Sequence, residues 1–188
     1  MMAVALLTGC GSQEGTSATT RETETEIGTE STEQVAEETT EETGTGTEAV
    51  TGLPQMDMSK WQYNATDHVY YQIGIQYCEV PVNLRYETLS VFVPESYMTA
   101  KDNGDSTYTC TINTEADVNG YSALNAPVVI PVNTPGYSAC EALTEYTDVS
   151  DYTDAGFVYI HAGCRGKDQG APAGVTDLKA AIRYIRYN

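Results

Sequence analysis

The 188-residue chain has few basic residues, with nine Lys and Arg against 27 Asp and Glu and a formal net charge of −18. So little positive charge argues against nucleic acid as a partner, because a protein that binds phosphates needs Lys and Arg to neutralise them. No run is long and apolar enough to span a membrane, and the five Cys lack the spacing of a zinc site. The sequence therefore predicts no metal site and indicates no cofactor.

More than half of the excess negative charge lies near the N-terminus. Residues 11–50 hold eleven Glu against one Arg, are rich in Thr and contain no aromatic residue. Such a segment buries too little apolar surface to offset its ordering entropy, so we predict a disordered, extended linker over residues 11–55. An acidic tail that binds a basic partner or a metal ion is the alternative. Residues 56–188 are enough for one domain with a core.

The first ten residues, MMAVALLTGC, form an apolar run that ends in a cysteine. The ending Leu7-Thr8-Gly9-Cys10 resembles a bacterial lipobox, in which the cysteine receives a lipid and becomes the mature N-terminus. The resemblance implies that residues 1–10 are a residual lipoprotein signal. It also implies export and anchoring through Cys10 to the bacterial cell membrane, on its extracytoplasmic side. A signal peptide also has a basic segment and a longer apolar stretch, so we expect Met1 to lie inside a longer signal. A chance cysteine after an apolar run is the alternative.

Four further cysteines, Cys78, Cys110, Cys140 and Cys164, lie in the part of the chain that we expect to fold. An exported protein can join four cysteines in two disulfides, with three possible connectivities. Buried free thiols fit the sequence equally well. The sequence assigns no pairs.

Hydrophobic periodicity divides the folded part into strands followed by alternating strands and helices. Strand patterns cover residues 68–77, 88–93, 107–114, 127–132 and 156–161, and helix patterns cover residues 138–146 and 170–188. The first three strands are predicted to be antiparallel, and a βαβα run begins at Pro127. This order predicts a mixed α/β sheet whose later strands are parallel.

The segment 170–188 is the strongest helix pattern in the chain. Its apolar residues recur at spacings of three and four and are expected to pack on the sheet as one stripe, namely Val175, Leu178, Ile182 and Ile185. In an alternating strand–helix fold a helix is followed by another strand, and no strand pattern follows this helix before Asn188. We therefore expect the sheet to be incomplete.

Four short motifs occur in the order found in α/β-hydrolases. The run 88–94 ends in Val-Pro, the turn 132–137 reads VNTPGY, the loop 162–166 reads AGCRG, and the helix pattern 171–184 reads APAGVTDLKAAIRY. Together they resemble the esterase branch that contains bacterial tannases and feruloyl esterases. The resemblance covers roughly residues 66–188 and implies the N-terminal portion of an α/β-hydrolase sheet.

The resemblance implies a carboxylic ester hydrolase that acts on a small-molecule ester. Such enzymes use a serine on a Gly-x-Ser-x-Gly elbow, then an acid, then a histidine. The chain contains no such elbow, and in the resembling enzymes it follows the helix that here ends at Asn188. We therefore expect residues 56–188 to be truncated before the elbow and inactive as given. The alternatives are a non-catalytic surface lipoprotein, acting as a binding module on an acidic stalk, and a decayed or split hydrolase.

The turn after the apolar strand carries the candidate site residues. The resemblance implies that the backbone amide of Gly136 or Tyr137 donates to an oxyanion, because Pro135 has no N–H. A turn chosen only for its geometry is the alternative. Ser138 is the nearest substitute for an elbow serine, but Cys140 stands where the elbow has its second glycine.

Three further polar residues near the end of the chain could in principle act as a base or bind a substrate. His161 is predicted to end a strand with its hydrogen bond satisfied rather than to act as a base. Arg165 and Lys167 are either solvated loop charges or partners for a substrate carboxylate or an acidic loop.

Overall fold

The structure is a computed structural model, and it describes residues 55–188. The predicted lipid attachment at Cys10 and, except for Gln55, the predicted linker over residues 11–55 lie outside the described residues. Both stay predictions. Within the described range the elements are β1 (Gln62–Asn64), β2 (Val69–Gln76), β3 (Thr88–Pro94), β4 (Met98–Asp102), β5 (Tyr108–Ile112), β6 (Asp117–Val118), β7 (Tyr121–Ser122), β8 (Val128–Val129), α1 (Ser150–Thr153), β9 (Val158–Ala162) and α2 (Ala173–Tyr187).

Five strands form one mixed sheet in the order β1-β2-β3-β9-β8. The pairs β1–β2, β2–β3 and β3–β9 are antiparallel, and β8 runs parallel to β9. The mixed character of the predicted sheet is therefore confirmed. The third predicted strand, over residues 107–114, does not join this sheet and pairs with β4 instead. The chain between β8 and β9 crosses over the sheet, so the segments that follow the ends of these two strands emerge at the same edge.

The middle of this sheet is apolar because its strands are covered on both faces. All seven residues of β3 are buried, as the apolar run TLSVFV predicts. The largest side chains of the core include Trp61, Tyr77, Phe92 and Tyr184. Trp61, close to the beginning of the described range, is 1% exposed.

Two small hairpins stand outside the main sheet. The strands β4 and β5 pair across a turn that contains Asn103 and Gly104, and β6 and β7 pair across Asn119-Gly120. Asn119 and Gly120 have φ values of 54° and 87°. Because a two-residue hairpin turn requires positive φ at both central positions, Asn-Gly is the favoured pair there.

The predicted strand over residues 127–132 is wrong in length, since only Val128 and Val129 pair as β8. Pro127 and Pro131 flank this pair and have no N–H to donate, so they limit the ladder. β8 therefore ends one side of the sheet as a two-residue strand.

The predicted helix over residues 138–146 is wrong, and this segment is irregular. Its backbone hydrogen bonds go to distant chain segments instead of to its own turns. The N–H of Cys140 donates to the Cys164 carbonyl at 2.9 Å, and the N–H of Ala142 donates to the Arg85 carbonyl at 2.9 Å. Tertiary pairing has overridden the helix propensity of the Ala and Leu residues.

The helix over residues 170–188 is confirmed as α2, but its predicted apolar stripe is only half correct. Leu178 and Ile185 pack against the core, whereas Val175 and Ile182 are 62% and 46% exposed. The fully buried positions are Asp177, Ala181 and Tyr184. The buried face of α2 is therefore offset by about one residue from the predicted stripe.

Tyr184 offers a stability test, because its hydroxyl is buried without a hydrogen-bond partner among residues 55–188. Tyr184→Phe is expected to leave the free energy of unfolding unchanged or to raise it by up to about 1 kcal/mol, since no bond is lost. Tyr77→Phe is the control. The Tyr77 hydroxyl donates to the buried Gly163 carbonyl at 2.9 Å, and its loss is expected to cost about 1–3 kcal/mol. Urea unfolding measures both. Equal losses in the two variants would contradict the assignment.

Candidate functional site

A cleft of about 460 Å³ opens where three segments named by the sequence motifs meet. These segments are the turn after β8, the loop after β9 and the start of α2. The cleft is lined mainly by apolar side chains and backbone. Its lining comprises Val132, Thr134, Tyr137 and Ser138 of the turn, Arg165, Gly166 and Lys167 of the loop, and residues 170–175 and Leu178. A concave, mostly apolar cleft with few polar groups is the usual form of a small-molecule site.

The turn and the loop are held together by backbone contacts. Cys140 and Cys164 form an antiparallel bridge and exchange two hydrogen bonds of 2.9 and 2.8 Å. Next to this bridge, a Cβ atom on Gly166 would lie 2.3 Å from the Ala139 nitrogen and 2.8 Å from the Ser138 carbonyl carbon. Only glycine fits there, because neither backbone atom can move aside as a side chain would.

The start of α2 is held to the same loop by a second close approach. A Cβ atom on Gly174 would lie 2.5 Å from the Arg165 carbonyl oxygen. The glycines of the loop and helix motifs therefore set the shape of the cleft, and this is a role that the sequence analysis did not assign to them.

An ion pair between Arg165 and Asp177 joins the loop after β9 to α2, next to the cleft. The Arg165 backbone N–H and Nε donate to Asp177 Oδ2 at 2.8 and 2.9 Å, and Nη2 donates to Oδ1 at 2.6 Å. Glu87 is also buried, with Oε1 3.5 Å from Arg165 Nη2. The hydrogen bond to Asp177 raises the pKa of Arg165 above its ordinary value.

Arg165 is neither a solvated loop charge nor a free partner for a substrate, because it is paired with Asp177 of α2. Its guanidinium is committed to Asp177 within the protein, so it orders the loop and is not held free for a substrate carboxylate. Lys167, by contrast, is exposed at the rim of the cleft. The sequence analysis assigned no chemistry to Asp177. A signal was available, since Asp177 lies three or four residues from Gly174 and Ala181 on the helix face that packs inward.

The turn at the cleft has two successive residues in the left-handed region, with φ values of 60° at Gly136 and 61° at Tyr137. The Tyr137 N–H donates to the Thr134 carbonyl at 3.0 Å, and the Ser138 N–H donates to the Pro135 carbonyl at 3.2 Å. These two amides are used within the turn. Of the two predicted oxyanion donors, Gly136 has the amide that is not used within the turn, whereas Tyr137 is the one that lines the cleft. The donor role itself stays a prediction.

Ser138 is exposed beside the cleft, and neither histidine of the chain pairs with it. His161 Nε2 lies 2.8 Å from the Glu141 carbonyl oxygen, and His68 Nδ1 lies 2.8 Å from Glu95 Oε2. A serine acts as a nucleophile only when a base takes its proton. The geometry between residues 55 and 188 therefore supplies no serine–histidine pair.

The remaining candidate groups are thiols. All four cysteines of the described range are free. Burial raises the pKa of each of them, that of Cys110 to about 11. A thiol with a raised pKa is a poor nucleophile near neutral pH.

The residues that the structure describes were also compared with the requirements of a metal site and of a membrane-spanning helix. Residues 55–188 hold no group of three or more His, Cys, Asp or Glu side chains arranged to bind a metal ion. None of the helices between these residues is both long and apolar enough to cross a membrane.

Comparison with known proteins gives matches among solved structures. No protein-family model matches the chain, and no curated protein is significantly similar to it. The native tannin acyl hydrolase from Lactobacillus plantarum aligns with a TM-score of 0.52 and 26% identity, over 72% of this chain and 31% of its own. A tannase from Lactobacillus plantarum in an orthorhombic crystal gives 0.51 and 28%, over 72% and 30%. A tannin acyl hydrolase in complex with 3,4-dihydroxybenzoate gives 0.51 and 27%, over 72% and 31%.

These matches support a tannase-like relationship and a resemblance of hydrolase type. The chain spans less than a third of the length of the tannin acyl hydrolases that it matches.

Proposed function

We propose that this chain supplies the opening sheet and one side of the active-site cleft of a serine carboxylic ester hydrolase of the tannase type. The observation that carries the proposal is the meeting of the turn 132–138 and the loop 162–170 around an apolar cleft. It occurs in a chain that is 26–28% identical to tannin acyl hydrolases over 72% of its residues.

In this proposal the cleft receives a small-molecule ester. Its lining is apolar near Val132, Pro172 and Val175, which suits the ring of a phenolic acyl group. A tannin acyl hydrolase that resembles this chain has been solved with 3,4-dihydroxybenzoate, which supports a phenolic substrate. The Gly136 N–H is the proposed donor to the oxyanion that forms when the ester carbonyl is attacked.

The proposal assigns the nucleophile, the acid and the histidine to residues other than those described. Ser138 has no histidine partner, and His161 and His68 make their hydrogen bonds elsewhere. We therefore propose that the chain as given does not hydrolyse esters through a catalytic triad. Export and lipid attachment at Cys10 belong to the same proposal, and labelling with a radioactive fatty acid tests the attachment.

Hydrolysis of p-nitrophenyl acetate tests the assignment of Ser138. The full chain and its Ser138→Ala variant are expected to release p-nitrophenol at the same rate, since an unpaired serine hydroxyl is a weak nucleophile. Ser122→Ala, at a serine outside the cleft, is the matched control. A rate that falls at least tenfold in Ser138→Ala alone would show that Ser138 is the nucleophile and would overturn the assignment.

The reading frame downstream of Asn188 tests the proposed enzyme itself. Codons for Gly-x-Ser-x-Gly, followed by an acid and then a histidine, would supply the missing triad. The other candidate function is a non-catalytic surface lipoprotein, favoured by an apolar cleft without a serine–histidine pair among residues 55–188. An in-frame stop with no elbow codons beyond it would support that binding module instead.

A further inference from the structure

Cys140 and Cys164 face each other across the backbone bridge beside the cleft. Each donates its N–H to the carbonyl of the other, which makes them a hydrogen-bonded antiparallel pair. The Cα atoms of such a pair lie about 5.5 Å apart, and both side chains point to the same face. Disulfides usually join cysteines whose Cα atoms are roughly 4.4–6.8 Å apart, so the backbone spacing of this pair suits a disulfide.

The two thiols differ in their access to solvent. Cys164 is fully buried, and its Sγ lies 4.0 Å from the Cβ position built on Gly174. Cys140 is half-buried, and its Sγ lies 3.7 Å from His161 Nε2. A reagent in solution can therefore reach Cys140 first, and Cys164 is placed behind it.

The other two cysteines of the described range are not placed in this way. Cys110 lies on β5, and its cross-strand neighbour is Ala100. Cys78 follows β2 and has no cysteine opposite it in the sheet register. Strand pairing therefore singles out one pair of the six that four cysteines allow.

We propose that Cys140 and Cys164 form a reversible disulfide that clamps the turn 133–138 to the loop 162–170 and so fixes two walls of the cleft. The clamp goes beyond the proposed ester hydrolysis and does not depend on it. It adds a covalent bond where Gly166 already holds the two segments in contact.

The bond forms by exchange with a small disulfide such as oxidised glutathione. The Cys140 thiol loses its proton and attacks one sulfur of glutathione disulfide, and one glutathione thiolate leaves. The Cys164 thiol then loses its proton and attacks the Cys140 sulfur, and the second glutathione leaves. Two protein thiols become one disulfide, and one glutathione disulfide becomes two glutathione thiols. Burial of both thiols makes this reaction slow at neutral pH, so mildly alkaline buffer is used.

The experiment maps the thiols of the full chain after incubation with oxidised glutathione or with a reductant. Free thiols are alkylated, the protein is digested, and linked peptides are identified by mass spectrometry. A peptide that joins Cys140 to Cys164 is expected only in the oxidised sample. It should be absent in Cys140→Ser and retained in Cys78→Ser, the matched control.

Thermal unfolding supplies the second measurement. Closing a loop of about 25 residues is expected to raise the melting temperature by on the order of 10 °C in the oxidised sample. Cys140→Ser should show no difference between oxidised and reduced samples. Either of two results would overturn the clamp: a folded wild-type chain whose Cys140 and Cys164 remain unlinked in oxidised glutathione, or a linked peptide without a rise in melting temperature. Since the map is made on the wild-type chain, a variant that does not fold leaves this decision intact.

Discussion

Asp177→Ala is expected to lower the free energy of unfolding by about 3–5 kcal/mol, because it leaves the guanidinium of Arg165 in a mostly buried place without its main partner. Asp177 is 3% exposed and accepts three hydrogen bonds from Arg165. After the substitution only Glu87 would face the charge, at 3.5 Å. The loop 162–170 would then lose the contact that fixes it to α2.

Urea unfolding measures this loss, and two variants control it. Asp168→Ala removes an exposed carboxylate from the same loop and is expected to change stability by less than about 0.5 kcal/mol. The double variant Arg165→Met with Asp177→Leu removes both charges and is expected to cost less than Asp177→Ala alone. If Asp177→Ala behaves like Asp168→Ala, then water reaches Arg165 and the pair does not hold the loop.

Phe92→Ala is expected to have an effect of similar size, about 3–5 kcal/mol, since it deletes a fully buried ring from the central strand β3. The Phe92 ring lies 6.0 Å from the ring of Tyr71 and 5.8 Å from those of Tyr146 and Tyr159, centroid to centroid. The cavity would open between the sheet and the irregular segment that carries Tyr146.

The same substitution tests how that segment is attached. Tyr146 is also held by its hydroxyl, which donates to Asp67 Oδ2 at 2.6 Å. In Phe92→Ala the bond to Asp67 remains, whereas the contact between the rings of residues 92 and 146 is lost. The Tyr146 ring is then expected to become more accessible to solvent, so iodide should quench tyrosine fluorescence more strongly. Leu124→Ala, at a side chain that is 75% exposed, is the control and is expected to stay within about 0.5 kcal/mol. A loss below about 1 kcal/mol in Phe92→Ala would show that the sheet face is not packed as described.

The strands of the main sheet were largely predictable because their patterns are local. The alternation in residues 68–77 and the apolar run 88–93 match β2 and β3 within one residue at each end. Both strands are decided by which side chains face the core, and that information is written in successive residues. The hairpin turns at Asn103-Gly104 and Asn119-Gly120 are also decided locally, since each contains a glycine with positive φ.

The errors occur where distant segments decide the conformation. The helix expected over residues 138–146 gave way to pairing of Cys140 with Cys164, a partner 24 positions away in the sequence. The apolar stripe of α2 was placed without knowing that Asp177 would turn inward to meet Arg165. No pattern within a single segment shows that two opposite charges will be buried together.

The candidate site shows the same division. Its three segments were found from motifs that resemble an esterase family, and the structure brings them to one cleft. The motifs did not predict that the backbone of Gly166 lies close to Ala139, or that the backbone of Gly174 lies close to Arg165. A glycine required by a backbone neighbour cannot be distinguished in a sequence from one required by a turn.

The position of β8 at the end of the sheet has a consequence for how the cleft responds to a ligand. β9 is paired on both sides, by β3 and by β8, whereas β8 is paired through only two residues. Local opening is easiest where few backbone bonds must break. The wall that follows β8 is therefore attached through fewer strand hydrogen bonds than the wall that follows β9, and it depends more on the bridge between Cys140 and Cys164. A molecule that enters the cleft would displace the wall after β8 at the lower cost in broken hydrogen bonds.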